Sequence, residues 1–203
     1  MPGDLDAVLH LVERGSGPTL VLVHGVAGSH AIFDPLVPLL ADDFRVVAVD
    51  LLGYGSSPKP AGIDYTPGLH VRAIRQTLAR RSIPPPYCIV GLSMGVDLAL
   101  EYARTWPAEV ASLVGLGFPY YPDEAAARRG LRNNLWTMLA LERPALARLA
   151  IPTAWWLGRH LPALARRLST IYTPAMARDA LRASYHAFRS SLWWCMVRNR
   201  LGP

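Results

Sequence analysis

Residues 91–95 read Gly91-Leu92-Ser93-Met94-Gly95. They follow a short apolar run, Tyr87-Cys88-Ile89-Val90, and precede a helical pattern over about residues 96–106. A serine between two glycines, where a strand turns sharply into a helix, is typical of a nucleophile elbow that exposes the hydroxyl group. The glycines have no Cβ, so they leave room for the strand and helix to cross closely. We therefore interpret Ser93 as a catalytic nucleophile.

Other apolar runs predict the strands around this segment. Thr19–Val23 and Arg45–Val49 are rich in β-branched residues, which suits parallel strands buried on both faces. Residues 7–13 and 111–117 also read as strands, and helices are predicted over about 30–40 and 66–81. Because strands and helices alternate over residues 7–118, we expect a parallel α/β sheet with right-handed crossovers.

The pattern changes after Phe118. Residues 123–200 show helical periodicity without a convincing strand, which predicts several short helices. The prolines expected to interrupt them are Pro144, Pro152, Pro162 and Pro174. We therefore expect an α/β core over residues 1–118 and a helical cap over residues 119–203. Five of the six tryptophans lie in this second part, where they either pack the helices together or form an apolar lid over a pocket. They are Trp136, Trp155, Trp156, Trp193 and Trp194.

Composition narrows the partners and the compartment. The two cysteines, Cys88 and Cys195, form neither a disulfide framework nor a metal motif, so we expect a cytoplasmic protein. No apolar run reaches about 18 residues and the N-terminus does not resemble a signal peptide, so stable membrane insertion is not expected. Residues 119–203 carry 13 arginines and 4 acidic residues. These arginines are dispersed, which favours a solvated surface over a nucleic-acid site.

Three motifs follow successive predicted strands, at the carboxyl edge where open α/β sheets bind ligands. They are residues 24–29 (His-Gly-Val-Ala-Gly-Ser), residues 50–57 (Asp-Leu-Leu-Gly-Tyr-Gly-Ser-Ser) and residues 91–95. In this order and spacing the chain resembles the α/β-hydrolase superfamily, and within it the capped esterases, lipases and C–C bond hydrolases. The resemblance covers about residues 7–118, and the later helices resemble the cap of that family.

The resemblance implies a role for several of these residues. Ser93 would be the nucleophile, and the backbone N–H groups of Val26 and Met94 would form the oxyanion hole. His24 would hold the oxyanion loop, and Asp50 would bind the loop that follows it. Dehalogenases and epoxide hydrolases of the superfamily use an aspartate at the elbow, so Ser93 argues against those two reactions. The resemblance implies hydrolysis of a carboxylic ester or related acyl bond, with hydrolysis of a C–C bond as the alternative reaction. No metal or organic cofactor is implied, and the expected partner is a small apolar or acyl substrate.

The general base is not recognisable. In the family the acid and then the histidine follow the serine along the chain. Asp123 is better explained as a helix N-cap, and His160 and His186 as satisfied or surface histidines. Asp97 falls in the first turn after the elbow, where the helix dipole stabilises a carboxylate. The remaining histidines, His10, His30 and His70, have no obvious route to Ser93.

Three explanations remain open. The chain is the N-terminal portion of a longer hydrolase whose last strands are missing, or a short enzyme with an unusual triad that recruits His186 or a partner's residue, or a non-catalytic binding protein on the same fold. Without a base only residual catalysis remains, so the 203-residue chain alone is expected to be nearly inactive. An apolar cap surface left uncovered would also favour self-association.

Overall fold

The protein is described from a computed structural model, which defines residues 7–118, 120–160 and 182–198, with the side chains of residues 158–160 left aside. Its sheet has five strands in the order β1-β3-β2-β4-β5. The strands are β1 (Leu11–Arg14), β2 (Thr19–Val23), β3 (Arg45–Val49), β4 (Tyr87–Leu92) and β5 (Val110–Leu116). Strands β2 to β5 are parallel, as predicted, whereas β1 pairs antiparallel with β3. An apolar run does not encode strand direction, and β1 begins at Leu11 rather than near residue 7.

The central strands separate two apolar cores. Alternate residues point to opposite faces of a strand, so Val21 and Val47 enter one core while Leu22 and Val46 enter the other. Strand β5 lies at the second edge of the sheet, and its Val114 and Leu116 side chains are exposed. The elbow at residues 91–95 therefore follows a strand that has a neighbour on each side.

The predicted helix over residues 30–40 is two short pieces, a 3-10 turn at His30–Phe33 and α1 at Val37–Leu40. Pro35 lies between them, and proline both lacks an N–H donor and disfavours helical backbone in the residue before it. The next two helices are α2 (Pro67–Arg80), capped by the Thr66 hydroxyl, and α3 (Met94–Thr105). A 3-10 turn at Pro107–Glu109 then leads into β5.

After β5 the described residues form helices joined by short loops, with no further strand among them. This part of the chain contains α4 (Glu124–Leu131), α5 (Leu135–Glu142), α6 (Pro144–His160), α7 (Tyr185–Ser191) and a π-helical segment (Leu192–Val197). Pro144 opens α6, but the expected break at Pro152 is wrong because α6 continues through that residue. Ala147 and Ile151, on the buried side of α6, anchor the helix there. Pro162 and Pro174 lie outside the described residues.

These helices share one apolar core with the sheet. Leu131, Ile151, Phe188 and Leu192 belong to the same buried cluster as Val21 and Ile89. The tryptophans of this part of the chain differ in burial. Trp155, Trp193 and Trp194 are half-buried, with Trp155 packed edge-on against Phe188, whereas Trp136 and Trp156 are exposed. Among the described helices, none combines the length and apolar character that crossing a lipid bilayer requires.

Candidate active site

Ser93 lies at the turn between β4 and α3. Its backbone has φ 54° and ψ −120°, a region that residues with a side chain rarely adopt. The Ser93 N–H donates to the Leu116 carbonyl at 2.8 Å, which fixes the turn against β5. Strain of this kind costs about 1–3 kcal/mol and persists where the surrounding structure imposes it, often at functional sites. The half-buried Ser93 therefore has the backbone conformation of an elbow serine.

The two flanking glycines are required by close backbone contacts. A methyl group placed on Gly91 would lie 2.4 Å from the Gly95 carbonyl oxygen, and one placed on Gly95 would lie 2.1 Å from the Val23 carbonyl oxygen. Strand β4 and helix α3 can cross at this distance only without Cβ atoms at both positions. The requirement for glycine at both positions, predicted from the sequence, is confirmed.

Replacing Ser93 by glycine is expected to stabilise the protein by about 1 kcal/mol, because glycine adopts this backbone conformation without strain. Ser93→Ala keeps the Cβ, so it should leave the free energy of unfolding within about 0.5 kcal/mol of the wild type. Urea denaturation of the three proteins at pH 7.5 measures both values. Equal stability of the glycine and alanine variants would show that the turn carries no strain.

The loop after β2 lies directly against the nucleophile. A methyl group on Gly25 would lie 3.0 Å from the Ser93 Cβ and 3.5 Å from its Oγ. The Gly28 N–H donates to the Gly25 carbonyl at 3.1 Å, which closes a tight turn around Val26. Among the described residues, the N–H groups of Val26 and Met94 have no hydrogen-bond acceptor. The oxyanion hole assigned to these two groups remains a prediction, and it is compatible with this arrangement.

His24 is fully buried and holds this loop, as expected. Its Nδ1–H donates to the Gly25 carbonyl at 2.7 Å, and its Nε2 accepts from the Leu51 N–H at 2.9 Å. Burial lowers the pKa of His24 to about 4, although its bond to the Gly25 carbonyl acts in the opposite direction. The ring is therefore neutral at pH 7, and both nitrogens are occupied. His24 joins the loop after β2 to the loop after β3 and is not the missing base.

Asp50 is fully buried and organises the loop that follows it, also as expected. Its Oδ1 accepts from the His30 N–H at 2.7 Å and its Oδ2 from the Ser56 N–H at 2.8 Å. Burial alone would raise the pKa of this carboxyl, but the bonds from His30 and Ser56 hold the pKa well below its usual range. A Cβ on Gly55 would lie 2.3 Å from the carboxylate. Asp50 is therefore an ionised structural group.

No described histidine forms a hydrogen bond with Ser93, and each has partners elsewhere. His186 is exposed and its Nε2–H donates to the Ile63 carbonyl at 2.7 Å. His70 is buried between helices, with Nε2 at 3.2 Å from the Ser191 Oγ. The His160 side chain lies outside the described residues. In this conformation His186 does not complete a triad.

The two acidic residues considered as alternatives have structural positions. Asp123 is the N-cap of α4, since its Oδ1 accepts from the Ala126 N–H at 2.7 Å, which matches the preferred interpretation of the sequence. Asp97 is buried in the first turn of α3, also as expected. Asp123 therefore acts as a helix cap, and the position of Asp97 in the first turn of α3 accounts for its carboxylate without a catalytic role.

The structure also assembles a group of side chains that the sequence analysis did not predict. His10 and His30 both direct Nδ1 at Asp50, at 3.0 and 2.9 Å. His10 precedes β1, His30 follows the loop after β2, and Asp50 follows β3. These residues belong to no single motif, and only the pairing of β1 with β3 and of β3 with β2 brings them together. Their proximity therefore had no signal in the sequence.

Comparisons with known proteins agree with this architecture. Residues 18–152 match the family model described as alpha/beta hydrolase fold. The chain is 34% identical over 136 residues to 2-(acetamidomethylene)succinate hydrolase of Mesorhizobium japonicum, covering 64% of this chain and 47% of that protein. It is 38% identical over 117 residues to pimeloyl-[acyl-carrier protein] methyl ester esterase of Methylococcus capsulatus, covering 57% of this chain and 43% of that protein.

A crystal structure of E-2-(acetamidomethylene)succinate hydrolase superposes with a TM-score of 0.66 at 23% identity, covering 95% of this chain and 72% of that one. This likeness concerns the fold. The chain spans less than half the length of the two curated relatives above. The matched family model covers strands β2 to β5, the elbow, the loop beside it and the first helices of the predicted cap. By sequence and by fold, the chain belongs to the α/β hydrolase family.

Proposed function

We propose that this chain provides the nucleophile and the oxyanion hole of a serine hydrolase that acts on a carboxylic ester or a related acyl bond. The observation that carries the proposal is the strained turn at Ser93, with Gly25 packed against its side chain. Such strain persists where the surroundings enforce it, and here it places a hydroxyl between the Gly25 loop and the start of α3. A purely structural serine at this position would gain nothing from the strain.

The reaction has two steps. The Ser93 Oγ forms a bond to the substrate carbonyl carbon and loses its proton to a base, and the alcohol then leaves with that proton, which gives an acyl-enzyme. Water attacks the acyl-enzyme, so the carboxylic acid is released and Ser93 is restored. Negative charge develops on the carbonyl oxygen in both steps. The Val26 and Met94 N–H groups would stabilise it, each by about 2.7–4 kcal/mol.

The acyl class of substrate is supported by chemistry and by the relatives. A serine nucleophile suits acyl transfer, and one relative is by its name a methyl ester esterase. The hydrogen bonds among the described residues do not identify a general base for Ser93, because His24 and His186 bond to other groups. Without an adjacent base the serine is a weak nucleophile, so turnover by this chain alone is expected to be very slow.

A fluorophosphonate probe tests the nucleophile without requiring turnover. We expect intact-mass analysis to show one phosphonyl group per chain on the wild type and none on Ser93→Ala. Ser112→Ala is the matched control, because Ser112 is exposed on β5 and should not react in the wild type. Labelling should increase with exogenous imidazole, which can accept the serine proton.

Hydrolysis of a short p-nitrophenyl ester provides the second measurement. Imidazole itself cleaves p-nitrophenyl esters, so the rate in protein-free imidazole buffer is subtracted first. The increment that remains should be removed by Ser93→Ala and kept by Ser112→Ala. A folded wild-type chain that is not labelled at Ser93, with or without imidazole, would contradict the proposal and favour a binding protein. Turnover without imidazole that Ser93→Ala abolishes would instead support the proposal and show that a base is already in place.

A further inference from the structure

His10, His30 and Asp50 form a group of potential metal ligands that shares no residue with the Ser93 site. Their donor atoms, Nδ1 of each histidine and the Asp50 carboxylate oxygens, all lie within 4.8 Å of one another. His10 Nδ1 is 3.0 Å from Oδ2 and His30 Nδ1 is 2.9 Å from Oδ1. Donor atoms around a tetrahedral Zn²⁺ with bonds of about 2.0–2.1 Å are about 3.3 Å apart. The two imidazoles therefore approach the carboxylate at nearly the spacing of a zinc site.

The carboxylate retains capacity for a metal. Each oxygen accepts one backbone N–H, from His30 on Oδ1 and from Ser56 on Oδ2. These two bonds fix the carboxylate plane, as the outer-shell partners of metal ligands do. The second lone pair of each oxygen faces one histidine and accepts its Nδ1–H, so it becomes available to a metal when that proton moves to Nε2.

The three side chains differ in their exposure to solvent. Asp50 is fully buried, the His30 side chain is 19% exposed and the His10 side chain is 38% exposed. Solvent therefore reaches the histidines but not the carboxylate, which leaves a path for a cation and a place for a water ligand. The two imidazoles form a tilted pair with ring centroids 5.1 Å apart.

We propose that His10, His30 and Asp50 bind one divalent transition-metal ion of the Zn²⁺ type, with water as a fourth ligand. Two imidazoles and one carboxylate are nitrogen and oxygen donors that suit zinc, whereas calcium and magnesium require sites built of oxygen donors. At present the Nδ1–H of each ring faces the carboxylate. In the other neutral tautomer the proton is on Nε2, and the Nδ1 lone pair can then bind the metal.

The metal would join three separate parts of the fold. His10 lies just before edge strand β1, His30 begins the turn after the Gly25 loop, and the N–H of Leu51, next to Asp50, binds His24. A ligand that binds only the folded protein stabilises it by mass action. We therefore expect Zn²⁺ at 100-fold excess over its dissociation constant to raise the Tm by about 5 °C or more.

The test uses the full chain with ZnCl₂, and with CoCl₂ as a spectroscopic substitute. After gel filtration of zinc-loaded protein, elemental analysis should find about one zinc per chain, and cobalt should give visible absorption of a tetrahedral site. His10→Gln and His30→Gln should each weaken binding by more than the ~10–100-fold typical of an outer-shell change. His186→Gln is the matched control, since His186 is an exposed histidine outside the group.

Two results would overturn the proposal. The first is a wild-type Tm that rises no more with Zn²⁺ than with Mg²⁺, together with less than stoichiometric zinc. The second is zinc binding that His186→Gln reduces as much as His10→Gln does, which would indicate adventitious histidine contacts. Circular dichroism of each variant without metal establishes that it is folded.

Discussion

A Gly95→Ala substitution is expected to lower the free energy of unfolding by more than about 4 kcal/mol, or to prevent folding. The new methyl group would lie 2.1 Å from the Val23 carbonyl oxygen and 3.0 Å from the His24 carbonyl oxygen. Both belong to main chain at the end of a central strand, which cannot move aside without breaking its pairing with β3 and β4. The clash therefore separates α3 from the sheet.

Gly68→Ala is the matched control for this prediction. Gly68 lies in the first turn of α2, where a methyl group would meet only the end of the Arg72 side chain at 3.3 Å. Alanine favours a helix over glycine by up to about 1 kcal/mol, so this variant should be at least as stable as the wild type. Urea denaturation of the two variants gives the comparison. A Gly95→Ala protein within 1 kcal/mol of Gly68→Ala would contradict the packing described for the elbow.

Acid is expected to destabilise the protein by about 4 kcal/mol between pH 7.5 and pH 5, through His24 and His70. Burial lowers the pKa of His24 to about 4, and the pKa of His70 to about 3. An unfolded histidine has a pKa near 6.5. As the pH falls, the unfolded chain therefore binds protons at these two histidines before the folded protein does. The stability that the neutral histidines contribute above pH 6.5 is lost as the pH falls towards their folded pKa values. Each of the two histidines lowers the free energy of unfolding by about 2 kcal/mol at pH 5 relative to pH 7.5.

His70→Leu should remove about half of this pH dependence. In the folded protein the His70 ring is fully buried and its Nδ1 has no hydrogen-bond partner among the described residues, so a charged ring would be costly there. His186→Gln serves as the control and should keep the full difference, because His186 is exposed. The measurement is the free energy of unfolding in urea at pH 7.5 and pH 5. Equal pH dependence in His70→Leu and wild type would show that His70 is not the group that titrates.

Local patterns predicted much of the fold and of the candidate site. The β-branched runs identified β2 and β3 because both faces of these strands are buried. The Gly-x-Ser-x-Gly segment identified the elbow, since only glycine fits where β4 and α3 cross. The structural roles expected for His24 and Asp50 are also confirmed by their hydrogen bonds. Each of these features is decided by a few adjacent residues and their backbone.

Features that depend on chain direction or on distant neighbours were not predicted correctly. The antiparallel direction of β1 and the continuation of α6 through Pro152 are set by tertiary packing. Proline in a helix costs a hydrogen bond, and burial of Ala147 and Ile151 offsets that cost here. Local propensity does not contain this contribution.

The sequence by itself determined the order of strands and helices in the core and the residue at the elbow, because both depend on short-range sterics and on apolar periodicity. Only the tertiary structure decided what surrounds that residue. It placed Gly25 against Ser93, and it turned His186 towards Ile63 rather than the serine. It also gathered His10, His30 and Asp50 from three segments into one group. Such contacts join residues far apart in the chain, and their distances follow from strand pairing, which no local pattern specifies.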